Sequence, residues 1–481
     1  MDRAAIERID AFAYRHRVAE VMAAPVVTVA PTASLEATIR LMRESRISAV
    51  ITLDEAGRPD GILTERDVLT AIAREGAAAL PRPVSDFMSR PVAVVPPDAF
   101  LHVALTRMER QGFRHLAVVE PATGALVGLL SARALLRQRA AAALALGIDI
   151  AAAPDTGALG EAYRHLPQLA QGLLAEGLRA SEIAEVIGAA LRDLSARAAT
   201  LAEARMLAEG RSAAPAPWAF LVLGSAGRGE SLLASDQDNA LVHGGDEAAD
   251  PWFAELGARS ADILNAAGLV YCAGGVMAKN PACRHGLVGW KREIDRWVSE
   301  RQPSDLLNAD IFYDFRPVAG DLGLAAQLRI YATKAARSPG FLMRLAHMLD
   351  ASSPALSPVL GRLRSRGGRI DLKRGGLRSL VSAARILALK IATPALSTAA
   401  RLGAATEAGL LPLDDLALFR DAAERLLRHT LEQQLIDIEA GRAAGTSVDI
   451  RRLPRIRRER LRAALLAVGR IDLVVRDALT R

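Results

Sequence analysis

The sequence predicts a multidomain α+β protein: a repeat module at the N-terminus, a small mixed-sheet core, and an all-α C-terminal bundle. Three observations carry that reading. The N-terminal region matches itself at an offset of 66 residues. Residues 218–243 read as strand, Gly-rich turn, short helix and second strand. From about residue 322 onward, apolar residues recur at helical spacing to the end.

Length and composition agree with several cores. At roughly 100–200 residues per domain, 481 residues correspond to about three domains. The chain is 51% apolar but only 4% aromatic, which excludes disorder, collagen and a disulfide mini-scaffold. Two cysteines, Cys272 and Cys283, cannot build a four-cysteine metal site. No apolar run reaches about 18 unbroken residues, so no membrane span is expected, and MDRAAIERID lacks the apolar stretch of a secretory signal. A cytoplasmic protein is the expectation. The net charge of +7 favours anionic partners. The low aromatic content argues against a stacking platform for single strands, so nucleic acid is not the expected partner.

After a short segment, 1–18, the repeat aligns VAEVMAAPVVTVAPTASL (18–35) with VSDFMSRPVAVVPPDAFL (84–101). Met22 falls on Met88, Pro25 on Pro91, and Leu35 on Leu101. RISAVIT (46–52) aligns with RHLAVVE (114–120), and GILTERDVL (61–69) with GLLSARALL (128–136). Residues 19–140 resemble a tandem pair of CBS domains, copies 19–80 and 81–140. The resemblance implies an adenine nucleotide of AMP or ATP type in the cleft between copies, and a homodimer formed through the pair. The family's ribose-contacting Thr/Ser-x-x-Asp falls on Thr64 and Asp67; in the second copy Ser131 is kept but Ala134 replaces the acid, so one good ribose site is expected. Thr64 and Asp67 equally fit a helix cap over 64–74, since Thr followed by an acid three residues later is a capping signal.

Residues 141–212 are Ala- and Leu-rich and predict packed connector helices, with Ser181 as an N-cap. RSAAPAPWA (211–219) ends them. A core of 213–321 follows.

WAFLVLGSAGRGESLLASDQDNALVHGG (218–245) carries the chemistry. AFLVL is a buried strand closing on a turn in which Gly224 and Gly227 allow close backbone approach to a phosphate. Ser225 offers a hydroxyl and Arg228 a guanidinium fork; a helix from Gly229 to Leu233 would add its N-terminal dipole. Asp236 and Asp238, two apart in an extended segment, project to one face and suit a Mg²⁺ or Mn²⁺ ion. The order GS-x-GR-x-E-x₅-DxD resembles the nucleotidyltransferase superfamily, which includes polymerase-β-like enzymes. More closely, it is similar to the PII-uridylyltransferase-like DUF294 branch that often follows CBS pairs. That resemblance implies NMP transfer from an NTP to a protein or small-molecule acceptor, and a third carboxylate ahead of an Arg-Pro. DIFYDFRPVAGD (310–321) reads as a strand and supplies it: Asp314 is chosen, with Asp310 as competitor. Asp314 is also the candidate proton acceptor. Arg316 fits a phosphate contact or an ion pair, and Lys279 a triphosphate contact or a solvated loop position.

In the helical region 322–481, RIDLKRGGLR (369–378) is similar to the DLK-x-GG segment of PII and glutamine-synthetase nucleotidylating enzymes, which places Lys373 toward nucleotide or acceptor. Gly375 and Gly376 equally fit a helix break. RRLPRIRRERLR (451–462) holds seven Arg and one Glu, fitting a solvated face or an acidic docking partner. The eight histidines form neither a His-Asp dipeptide nor HExxH, and no GxxxxGK[ST] or GxSxG occurs. The phosphohydrolase that accompanies the transferase in PII-modifying enzymes is therefore not expected.

Overall fold

The computed structural model describes residues 16–45, 47–299, 309–349, 355–356 and 363–480, with only the backbone at 133 and 135–142. The segment 1–18 thus lies mostly outside the described residues. The chain divides into two compact units, 1–142 and 143–481.

In the first unit, β1 (Thr28–Val29), β2 (Ala49–Leu53) and β3 (Pro59–Thr64) form one sheet, and β4 (Val94–Val95), β5 (His115–Val119) and β6 (Leu126–Ser131) form another. Helices α1 (Leu35–Glu44), α2 (Glu65–Glu75) and α3 (Leu101–Gln111) pack on them. Each sheet joins a parallel pair to an antiparallel hairpin. Thr28 faces Ile51 and Val94 faces Ala117, so Ile51 corresponds to Ala117. The alignment of 46–52 with 114–120 is therefore displaced by two residues. Because strand side chains alternate with period two, that displacement keeps every residue on its correct face, which is why apolar pattern alone could not detect it. The copies also interlock. A side chain on Gly61 would strike Met88 Sδ at 2.2 Å, and one on Gly128 would strike Met22 Sδ at 2.3 Å. The two methionines matched in the repeat thus each cover a glycine of the opposite copy.

Helix α4 (Ala132–Ala152) leads into the second unit, where α5 (Thr156–Arg164), α6 (Leu166–Ala175) and α7 (Ala180–Ala208) precede the sheet. Strands β7 (Trp218–Val222), β8 (Asn239–His243), β9 (Arg284–Gly286) and β10 (Arg316–Gly320) order as β10-β7-β8-β9. Only β8 and β9 run parallel. Trp218, Phe220 and Leu241 point into one core with α7 and α9 (Asp250–Ala267). Ala219, Leu221, Ala240 and Val242 point into the other, with α10 (Leu287–Ser299), α11 (Leu322–Ala336) and the helices that follow. A strand covered on both faces reads as an unbroken apolar run, as AFLVL does. The expected connector helices are therefore one wall of the core behind this sheet. Helix α7 begins at Ala180 with Arg179 as N-cap, not Ser181. The carboxylate of Glu424 instead accepts from the Ala180 and Ser181 amides at 2.6 and 3.1 Å.

The remaining helices are α12 (Pro339–His347), α13 (Arg378–Lys390), α14 (Thr398–Glu407), α15 (Leu413–Glu439), α16 (Arg455–Val468) and α17 (Ile471–Thr480). A two-stranded antiparallel sheet of β11 (Arg369–Asp371) and β12 (Ser447–Asp449), segments far apart in sequence, lies within the bundle. DIFYDF is not a strand: residues 309–312 are helical and 313–314 turn before β10. Much of the Arg-rich 451–462 segment is paired locally, Arg451 to Asp449, Arg455 to Glu459 and Arg457 to Glu432.

Candidate active site

After β7 the Gly-rich segment forms one helical turn, α8 (Gly224–Arg228), ended by Gly229 in the left-handed region at φ +75°. The helix predicted over 229–233 is not formed. Amides of Gly227, Gly229 and Glu230 are bonded to the carbonyls of Leu223, Ala226 and Ser225, so Gly227 offers no amide to a phosphate. Its role is spatial: an added Cβ would lie 2.3 Å from the Asp314 carbonyl oxygen. Gly224 has φ +57°, and a Cβ there would stand 2.6 Å from Asp238 Oδ2. The turn is thus pressed against the acid.

Gln237 sets the direction of both candidate ligands. Its buried amide donates to the carbonyls of Ala261 and Leu269, at 2.9 and 3.0 Å. In an extended segment that inward anchor sends Asp236 and Asp238 to the opposite face. There they meet Cys272, and ligand atoms of all three lie within 4.8 Å of one another. Burial, then the charge of Asp236, pushes the Asp238 carboxyl up to about 6. Burial and Asp238 push the Cys272 thiol up to about 12, so it stays protonated near neutral pH and bonds to Asp238. Two adjacent carboxylates, with no ion pair to either among the described residues, form an oxygen-donor set that fits Mg²⁺ or Mn²⁺; the protonated thiol adds no hard ligand.

The structure does not bring Asp314 to this pair. Asp314 is completely buried and takes Arg385 Nε at 3.0 Å, Arg385 Nη2 at 2.5 Å and Arg401 Nη1 at 2.7 Å, with Arg228 as a third partner. Burial alone would raise its carboxyl; Arg385, Arg228 and Arg401 outweigh that and hold it well below the usual carboxylate range. A carboxylate so saturated is neither a free metal ligand nor a proton acceptor, which corrects both assignments. The competitor Asp310 is likewise bonded to Arg385 and, at 2.9 Å, to Ser382. Arg228 also bonds Glu230 at 2.8 Å, so its fork is committed within the protein. Glu230 in turn accepts from the Thr398 hydroxyl at 2.9 Å at the start of α14.

Gly224, Ser225, Arg228, Asp238 and Lys373 line one cavity of about 650 Å³, while Asp236, Gly227 and Asp314 do not border it. The Ser225 hydroxyl is 2.9 Å from that of Ser231. Lys373 is exposed on a π-helical turn, Lys373–Leu377, and its charge acts on Asp238. The Gly375-Gly376 pair lies inside that turn, and Asp371 accepts the Arg374 amide at 3.1 Å. Lys279 sits over the Tyr271 ring at 4.2 Å, 3.8 Å from Asp262, and does not border the cavity.

In the first unit, Thr64 and Asp67 form the capping box of α2: Thr64 accepts from the Asp67 amide, and Asp67 Oδ2 takes the Thr64 amide at 2.8 Å and hydroxyl at 2.7 Å. Both also line a cavity of about 430 Å³ with Ser131, Ser48 and His115. Ser48 Oγ is 3.1 Å from His115 Nε2. Ser131 accepts the Ala134 amide at 3.0 Å.

Arg385, Arg401 and Cys272 were not singled out from the sequence. A charged residue inside the apolar stretches SAARILAL and TAARLGAA was the available signal for the two arginines.

Residues 18–74 and 84–141 match the CBS domain family. Residues 164–304 match the family described as "Putative nucleotidyltransferase DUF294", and 339–478 the "Putative nucleotidyltransferase substrate binding domain". An uncharacterized 17.7 kDa protein of Acidianus ambivalens is 30% identical over 121 residues, 25% of this chain and 71% of that protein. An uncharacterized protein of Methanopyrus kandleri is 32% identical over 120 residues, 25% of this chain and 61% of that one. A CBS domain protein from Pyrobaculum aerophilum, solved in complex with AMP, is 30% identical with TM-score 0.24, covering 26% of this chain and 94% of that one. Among the described residues, no helix is long and apolar enough to cross a membrane. The chain carries, in this order, a CBS domain pair, a domain of the family described as "Putative nucleotidyltransferase DUF294" and the "Putative nucleotidyltransferase substrate binding domain" that goes with it.

Proposed function

We propose that the second unit transfers NMP from an NTP to an acceptor hydroxyl, in the manner of PII uridylyltransferases, and that an adenine nucleotide in the CBS cavity regulates it. The observation that carries this reading is the convergence of Asp238, the Gly224-Ser225 turn and Lys373 on one cavity. Asp236 and Asp238 would hold Mg²⁺, which supplies charge neutralisation to the triphosphate when bound. Ser225 and the Lys373 ammonium are placed to take phosphate oxygens. Gly224 lets the turn approach the acid without obstruction. The acceptor hydroxyl oxygen attacks the α-phosphorus and gives up its proton to water, the bond to the β-phosphate oxygen breaks with its electron pair going to the leaving group, and pyrophosphate leaves. The Arg385–Asp314–Arg401 cluster positions α8 and the helices behind it and takes no part in the chemistry.

At the CBS pair, Thr64 and Asp67 would exchange their mutual hydrogen bonds for a ribose diol, with Ser131 on the facing copy. The absorption of Asp314 into an arginine cluster favours a second reading, a non-catalytic nucleotide sensor with two carboxylates in place of three. Label transfer from α-labelled NTPs in cell lysate separates the two: a sensor binds nucleotide and transfers nothing.

A further inference from the structure

Beside the nucleotide cavity lies a second one of about 530 Å³, sharing Asp310, Asp371, Arg374, Arg378 and Ser382 with it. Its wall also carries Arg364 and Arg366. The side chains of Arg364, Arg366, Arg374 and Arg378 are exposed, and among the described residues none meets an acid within ion-pair distance. The two acids at the rim are already bonded, Asp310 to Arg385 and Ser382, Asp371 to the Arg374 amide. Among the described residues these four guanidiniums have no acidic partner, and their like charges in one concavity repel each other.

The backbone that presents them is held in place. Arg366 and Arg369 close a two-residue hairpin turn through reciprocal amide–carbonyl bonds of 3.0 and 3.2 Å. Gly367 and Gly368 occupy its corner at φ +61° and +82°, a conformation that glycine adopts without strain. The Arg364 amide is bonded to the Ala355 carbonyl at 2.8 Å, and Arg369 is tied to Asp437 at 2.8 Å. The hairpin is thus anchored at its base while Arg364 and Arg366 stay unpaired.

We infer that this cavity is the acceptor site and that the acceptor is a phosphate-bearing small molecule with a free hydroxyl. The inference rests on the nucleotidyltransfer reading above. Guanidinium forks match phosphate oxygens in pairs, and the concavity is of the size that takes a small ligand. The wall common to both cavities places an acceptor hydroxyl next to the nucleotide while its phosphate stays with Arg364 and Arg366.

The test uses the full chain and its Arg364→Gln/Arg366→Gln variant, two exposed positions outside the nucleotide cavity. Inorganic phosphate is titrated calorimetrically with the nucleotide cavity filled by α,β-methylene-ATP and Mg²⁺. The expected result is phosphate binding to the wild type that weakens by about tenfold or more in the variant, with unchanged affinity for the analogue. Equal phosphate binding in both proteins, or none in the wild type, overturns the site. Label from α-labelled NTP in lysate is expected in the fraction passing a small-pore filter; label retained with protein overturns the small-molecule class. If the analogue does not bind, the reading of the nucleotide cavity fails, while the phosphate titration without analogue still decides the arginine site.

Discussion

Arg385 grips Asp314 through two parallel bonds, Nε to Oδ1 at 3.0 Å and Nη2 to Oδ2 at 2.5 Å, with both side chains buried. Arg401 and Arg228 complete the shell. Removing the shared carboxylate would take a partner from all three guanidiniums and, among the described residues, leave the buried Arg401 with no acid at all. Breaking a buried pair this way costs about 3–5 kcal/mol, so Asp314→Ala should lose most of the stability of the second unit in a urea melt. A residue that merely held a metal ion would leave the metal-free melt nearly unchanged.

The opposite behaviour is expected at Asp236 and Asp238. Saturating Mg²⁺ at about a hundred times its dissociation constant should raise wild-type stability by about 2.7 kcal/mol. The Asp236→Asn/Asp238→Asn variant should fold and show no Mg²⁺-dependent shift. Thermal melts with and without Mg²⁺ measure this directly, and a shift of wild-type size in the variant would place the ion elsewhere.

These two cases show which parts of the site were legible in sequence. Asp236 and Asp238 are local: two residues apart beside a Gly-rich turn, their common face follows from strand geometry. Asp314 depends on partners 71 and 87 positions away, Arg385 and Arg401. No spacing rule reveals that two helices of the bundle deliver guanidiniums to it. The CBS repeat was legible because it is encoded twice, although the two-residue displacement at β5 was hidden by strand periodicity. The α7 cap was misassigned for the same reason as Asp314: Glu424 reaches it from α15 across the fold.

His429 makes stability depend on mildly acid pH. Burial first, and then Arg457, lowers its imidazole to about 4, with Glu432 opposing and Arg428 and Arg425 adding to the shift. The unfolded chain takes up the proton near 6.5, so this contribution is complete above that value and is lost as pH falls toward 4. The loss reaches at most about 3 kcal/mol by linkage. His429→Gln should flatten the pH 4–6.5 limb of a denaturation series; an unchanged slope would assign that limb to other groups.

At the CBS pair, Asp67→Ala removes half of the capping box and should cost about 1 kcal/mol in the absence of ligand. If the Thr64–Asp67 pair also receives ribose, AMP should alter transferase turnover in the wild type and much less in the variant. An equal AMP response in both proteins would leave Thr64 and Asp67 as a helix cap alone.

The central claim is transfer of a nucleotidyl group by the Asp236–Asp238 site, and paired α- and γ-labelled NTPs test it most directly. With Mg²⁺ and lysate, the wild type should transfer the α label and release the γ label as pyrophosphate, while Asp236→Ala/Asp238→Ala transfers neither. Transfer of the γ label, or α-label transfer that survives in the double variant, would contradict the account.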